Sequence, residues 1–75
     1  MNENPLINET LLQMKYARVV SLLAERLSIS EEDALRIFYN SETYKELSDL
    51  RNGLHNMSDL YLVDNIVLES QSSGQ

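Results

Sequence analysis

The sequence predicts an all-α fold, a single small domain built as a bundle of three or four helices. Three observations lead there. Apolar residues recur at the helical period in successive segments, and serines stand just ahead of those segments, where helix caps belong. The chain has 75 residues and no cysteine, so there is room for one domain and no disulfide to replace a packed core. A chain this short buries only roughly 60% of the surface its unfolded form exposes, and a deep enclosed active site is not expected.

Residues 1–8, polar with one proline, are expected to form a flexible N-terminal arm, and residues 9–69 the helical domain. Projected at about 100° per residue, Leu12, Tyr16, Val19, Val20, Leu23 and Leu27 share one stripe, which predicts the first helix. Leu11 and Leu22 flank that stripe beside Lys15 and Arg18. The apolar face is therefore wider than one neighbouring helix would cover, and either two helices or a partner must pack on it.

"LSISEEDALRIF", Leu27 to Phe38, reads as a stop and a restart. Ser30 can cap the free amides, Asp33 stands where a capping-box acid belongs, and Glu31 and Glu32 suit the positive end of a helix dipole. A second helix from Glu31 to about Tyr39 follows, with Ala34, Leu35, Ile37 and Phe38 expected inward. Phe38 and Tyr39 must diverge by about 100° on a helix, which leaves Tyr39 as an exposed aromatic anchor.

Ser41 and Ser58 are two further caps, each with a tyrosine three residues on. The third helix is expected to carry Tyr44, Leu47, Leu50 and Leu54 and to end or loosen at Gly53, because glycine takes a positive φ without steric cost. The Ser-Asp-Leu triplet occurs twice, but Ser48 falls inside a helix and Ser58 starts one. The segment "LYLVDNIVLE" admits two strands about an Asp64-Asn65 turn. Leu60, Leu62, Val63, Ile66 and Val67 also form one helical stripe, and since an isolated hairpin is marginal in water, helix is the expected state. Residues 70–75, "SQSSGQ", are expected to be a disordered tail.

Charge is uneven along the chain. Up to Leu27 the acids Glu3, Glu9 and Glu25 are balanced by Lys15, Arg18 and Arg26, so the whole net charge of −6 lies after Ser28. An acidic surface of this kind repels phosphate backbones and anionic lipids and attracts a basic protein. Met1 to Thr10 has no basic and apolar leader pattern, and no apolar run is long enough to span a bilayer, so a cytoplasmic protein without membrane attachment is expected.

Little in the sequence asks for catalysis. His55 is the one histidine, with no second histidine at metalloprotease spacing and no ordered nucleophile beside it, so a capping or packing role is expected. No run of carboxylates follows the spacing of a calcium loop, and two glycines cannot make a phosphate-binding loop. No cofactor, metal or catalytic residue is expected. The segment "VVSLLAERLSISEEDALRIF" has the outline of a helix-turn-helix, but the end that would enter a DNA groove carries Glu31, Glu32 and Asp33.

The stretch "GLHNMSDLYLVDNIVLE" resembles a family of short, mostly helical bacterial proteins of unknown function. Leu54, His55, Tyr61, Leu62, Val63, Asp64 and Ile66 carry the resemblance, "ALRIF" follows it more loosely, and Asn56 and Asn65 depart from it. Members often accompany toxin-like genes, some similar to ADP-ribosyltransferases, which implies an antitoxin-like or accessory role.

These readings converge on a small acidic, helical protein–protein interaction module without catalytic activity. Its partner is expected to be another, basic protein or a second copy in a homodimer, not nucleic acid or membrane. Leu11, Leu22 and Tyr39 are the candidate contacts, with Glu42 and Glu46 steering the encounter. A helix-turn-helix transcriptional regulator is the alternative reading, and a small enzyme a more distant one.

Overall fold

The first helix, α1 (Glu9–Leu27), is 19 residues long and forms the wall on which the others pack. It is followed by α2 (Glu31–Tyr39), α3 (Glu42–Ser48), two short 3-10 turns at Leu50–Asn52 and Leu54–Asn56, and α4 (Asp59–Ser72). The structure, a computed structural model, describes residues 9–72, and among these there is no strand. The fold is thus an all-α bundle of four helices. The expected N-terminal arm, 1–8, and the end of the expected tail, 73–75, lie outside the described residues.

α1 buries Tyr16, Val19, Val20, Leu23 and Ala24, the centre of the predicted stripe. It ends in a left-handed cap at Ser28, whose φ is 57°. There Ile29 N–H donates to the Ala24 carbonyl at 3.0 Å and Ser28 N–H to that of Glu25 at 3.3 Å, the bond pair of a Schellman motif, while Ile29 packs on the core. A serine holds the position that glycine fills most comfortably.

Ser30 then caps α2, its Oγ accepting from Asp33 N–H at 3.0 Å. α2 runs back along α1, because Glu31 at its start accepts from Ser21 Oγ at 2.7 Å while Phe38 near its end meets the ring of Tyr16 at 5.4 Å. Ala34 and Phe38 are fully buried and Ile37 half-buried. Leu35, expected inward, is 43% exposed instead. α2 packs on α1, α3 and α4; Tyr39 meets the Tyr44 ring of α3 edge-on at 4.8 Å, while Leu35 one turn earlier is left exposed.

Ser41 closes α2 and opens α3 at once, donating to the Phe38 carbonyl at 2.7 Å and accepting from Tyr44 N–H at 3.0 Å. α3 stops at Ser48, well short of Leu54, because the Asp49 carboxylate accepts from Arg51 N–H and from its guanidinium, a local turn that competes with helix. Leu50 and Leu54 therefore sit half-buried in the 3-10 turns. Gly53, with φ of 72°, joins those two turns rather than ending α3.

Ser58 caps α4 by accepting from Tyr61 N–H at 3.1 Å, and Leu62, Val63 and Ile66 are fully buried. Leu60, expected on the same stripe, is 56% exposed, since it stands about 200° around the helix from Leu62. α4 runs through Ser72, past the boundary expected at Glu69, with the Ser70 hydroxyl donating to the Val67 carbonyl. Near that end the Glu69 carboxylate accepts from the backbone N–H groups of Glu42 at 2.7 Å and Thr43 at 2.9 Å, and from the Thr43 hydroxyl. A side chain of the last helix thus satisfies the first amides of the third.

At the centre Tyr16, Phe38, Tyr39 and Tyr44 form an aromatic cluster with ring centroids 4.8–5.9 Å apart. Among the described residues no helix is long and apolar enough to cross a membrane.

Phe38→Ala is expected to cost about 3–5 kcal/mol in urea unfolding, whereas Leu35→Ala, at the exposed side, stays within about 1 kcal/mol. Ser28→Gly is expected to raise stability by about 1 kcal/mol through relief of the left-handed backbone.

Candidate functional site

Among the described residues no group of three or more histidine and acidic residues could hold a metal. His55 lies half-buried in the second 3-10 turn, with its Nδ1 buried and making no hydrogen bond, beside a shallow depression shared with Leu11, Lys15 and Arg18. The third helix stops at Ser48, so His55 stands in the connecting turn and not at the helix end expected for it.

The charges divide into two populations. All six lysines and arginines are held in ion pairs inside the chain: Lys15 and Arg18 with Asp59, Arg26 with Asp64, Arg36 with Asp33, Lys45 with Glu42 and Arg51 with Asp49. Asp59 is the strongest node. Lys15 Nζ reaches one of its oxygens at 2.9 Å and Arg18 Nε the other at 2.7 Å, which joins the middle of α1 to the start of α4. The Arg18 hydrogen bond, aided by Lys15, holds the Asp59 carboxyl below the usual carboxylate range against its desolvation. Arg51 does the same for the exposed Asp49. By contrast Glu9, Glu25, Glu31, Glu32 and Glu46 have no basic partner among the described residues.

Two of these free carboxylates flank the open side of α2. Between α1 and α2 runs a groove of about 430 Å³, with Gln13, Tyr16, Ala17 and Val20 on one wall and Glu31, Glu32, Leu35 and Tyr39 on the other. Its middle is apolar. Glu31 is bonded only by the Ser21 hydroxyl, and Glu32 makes neither ion pair nor hydrogen bond among the described residues. Tyr16 is only 7% exposed, and among the described residues its hydroxyl makes no hydrogen bond, though it is not a buried orphan as His55 Nδ1 is. Burial foremost, then the neighbouring Tyr44, Tyr39 and Glu9, push that phenol above its ordinary pKa.

A second groove, of about 440 Å³, lies between α2 and α4, but its polar groups are already engaged: Arg36 with Asp33, Glu42 with Lys45 and Glu69 with the start of α3.

The structure does not bring the sequence-predicted contacts together. Tyr39, 44% exposed, lines the α1–α2 groove. Leu11, 59% exposed, lies at the other side of α1 beside His55, and Leu22, eleven residues and about 16 Å further along the helix, packs half-buried on the core. Glu42 and Glu46 border a separate depression with Asn65 and Leu68. Sequence reasoning missed Tyr16, Ala17, Val20 and Leu35 as groove walls. A signal existed in the spacing of Leu35 and Tyr39, one helical turn apart on α2 and displaced from the Ala34–Phe38 pair.

Comparison of the chain with protein-family models, with curated proteins and with solved structures finds no match.

Asp59 has a folded-state pKa below its unfolded one, so its contribution to stability is complete above the unfolded value and is lost as pH falls through the folded value. Asp59→Asn is accordingly expected to lower Tm at neutral pH and to flatten the fall in Tm below about pH 4, followed by circular dichroism.

Proposed function

We propose that this chain is a small acidic, non-catalytic protein-interaction module of the cytoplasm, and that it receives in the α1–α2 groove an apolar segment of another protein bearing lysine or arginine. One observation carries the reading. The groove joins an exposed apolar strip, Ala17, Leu35 and Tyr39 over a floor of Val20, to carboxylates that have no base of their own, in a chain whose lysines and arginines are all already paired. Apolar surface left in a concave strip favours association, and the free carboxylates select the sign of what associates.

The same charge census weighs against the other partners. Two copies each carrying −6 repel one another, and a helix-turn-helix docking would press Glu31, Glu32 and Asp33 onto phosphates with no free base to compensate. An antitoxin-like or accessory role, implied by the family resemblance, is one in which such a module would bind a basic face of its companion.

The test is an NMR titration with a synthetic amphipathic leucine–lysine helix and with its leucine–glutamate counterpart. The lysine peptide is expected to shift the amides of Ala17, Val20, Leu35 and Tyr39 and the glutamate peptide to leave them in place, with binding weakened as salt shortens the Debye length to about 10 Å at 0.1 M. Glu32→Lys is expected to weaken binding about tenfold and Glu46→Lys, with the same change of net charge but outside the groove, by less than about threefold. Equal loss in both variants, shifts centred elsewhere, or sequence-selective binding of duplex DNA would overturn the reading.

A further inference from the structure

The two ends of the groove differ in chemistry. Glu31 and Glu32, at the first turn of α2, present acceptors and negative charge; Tyr16 and Tyr39, at the other end, present phenol hydroxyls with no hydrogen-bond partner among the described residues. Tyr16 is the more telling of the two, since its side chain is buried in the core while its hydroxyl, not itself a buried unpaired atom, stands on the groove wall without a hydrogen bond among the described residues. From Glu31 to Tyr39 the wall rises eight residues, about 12 Å, or a little over two helical turns.

We propose that the groove holds its partner segment as a short α-helix in one direction only, with lysine or arginine of its first turn over Glu31 and Glu32 and the carbonyls of its last turn at the Tyr16 hydroxyl. The proposal rests on the docking reading above and adds to it the conformation and polarity of the occupant.

Helix follows from the surroundings. An extended segment would leave its backbone donors and acceptors unpaired, because no strand edge exists among the described residues, whereas a helix pairs its own and leaves only its ends open. On the α1 side Ala17 and the buried Val20 project little into the groove, which leaves room for a helix to lie against it. Direction follows from the ends. A helix exposes unbonded N–H groups and positive potential at its start and unbonded carbonyls and negative potential at its finish. Carboxylates complement the first, and phenol O–H donors complement the second. The occupant would therefore lie parallel to α2 and antiparallel to α1.

Two acetylated, amidated alanine–leucine peptides of identical composition decide it, one with two lysines in its first turn and the other with them in its last. In isolation the second is the better helix, because cations suit a helix C-terminus, so intrinsic helicity opposes the expected order. The first is expected to bind about tenfold more tightly, by NMR titration and calorimetry, and a spin label on its lysine-bearing end to broaden the amides of Glu31 and Glu32 and not that of Tyr39. Tyr16→Phe, which keeps the ring and hence the core, is expected to weaken that peptide about fivefold while leaving Tm within a few degrees of the parent. Equal affinity of the two peptides, the reverse order, or an unchanged affinity in Tyr16→Phe overturns the directional proposal while docking in the groove still stands. Failure of both peptides to shift the groove amides removes the docking reading and this one with it.

Discussion

The burial of one face of α1 is the constraint on which the remainder of the fold depends. α2 has nine residues and α3 seven, both below the roughly 12–15 at which an isolated helix becomes even marginally stable in water. Neither can persist on propensity and capping alone. They hold their shape because Phe38 and Leu47 are withdrawn from water together with Val19 and Leu23, and because α4 closes the same core with Leu62, Val63 and Ile66. The aromatic cluster about Phe38 ties α1, α2 and α3 at one point, and Asp59, gripping Lys15 and Arg18, ties α4 to α1 at another.

Local signals in this chain were legible where the physics is local. The α1 stripe, the three serine caps at Ser30, Ser41 and Ser58, and the left-handed Gly53 all follow from spacing and side-chain chemistry within a few residues, and all are present. The misreadings have other causes. Leu35 is exposed because periodicity says which residues lie near a face and not how many neighbours that face will have, and Leu60 because it stands on the opposite side of α4 from Leu62. α3 was drawn too long because the apolar spacing of Leu50 and Leu54 suited a helix, whereas Asp49 satisfied the backbone of Arg51 more locally. Ser28 gave no sign of its positive φ, since the motif that imposes it depends on Ile29 finding the core.

The candidate site was harder to read than the fold, for a related reason. Tyr39 was singled out correctly as an exposed aromatic beside a buried one, but the surface to which it belongs is made by two helices running in opposite directions, and its other wall comes from residues about twenty positions earlier. Leu11 and Leu22 shared a face in projection, yet one lies near the start of α1 and the other is covered by the core. Charge was informative in total and misleading in detail. Net charge named the acidic character, but only the pairing of every lysine and arginine separated Glu31 and Glu32, which remain available, from Glu42, which does not.

The Glu69 carboxylate bears on the order in which this chain can acquire its shape. The first amides of α3 find their acceptor 26 and 27 residues later, on the last helix. During synthesis α1 and α2 can pair as soon as Phe38 has left the ribosome, and Ser41 can cap Tyr44 at once, but the amides of Glu42 and Thr43 lack their acceptor until α4 is itself released and wound. Completion of the third element therefore waits on the fourth, and the partly made chain exposes Leu47 and Thr43 for the whole of that interval.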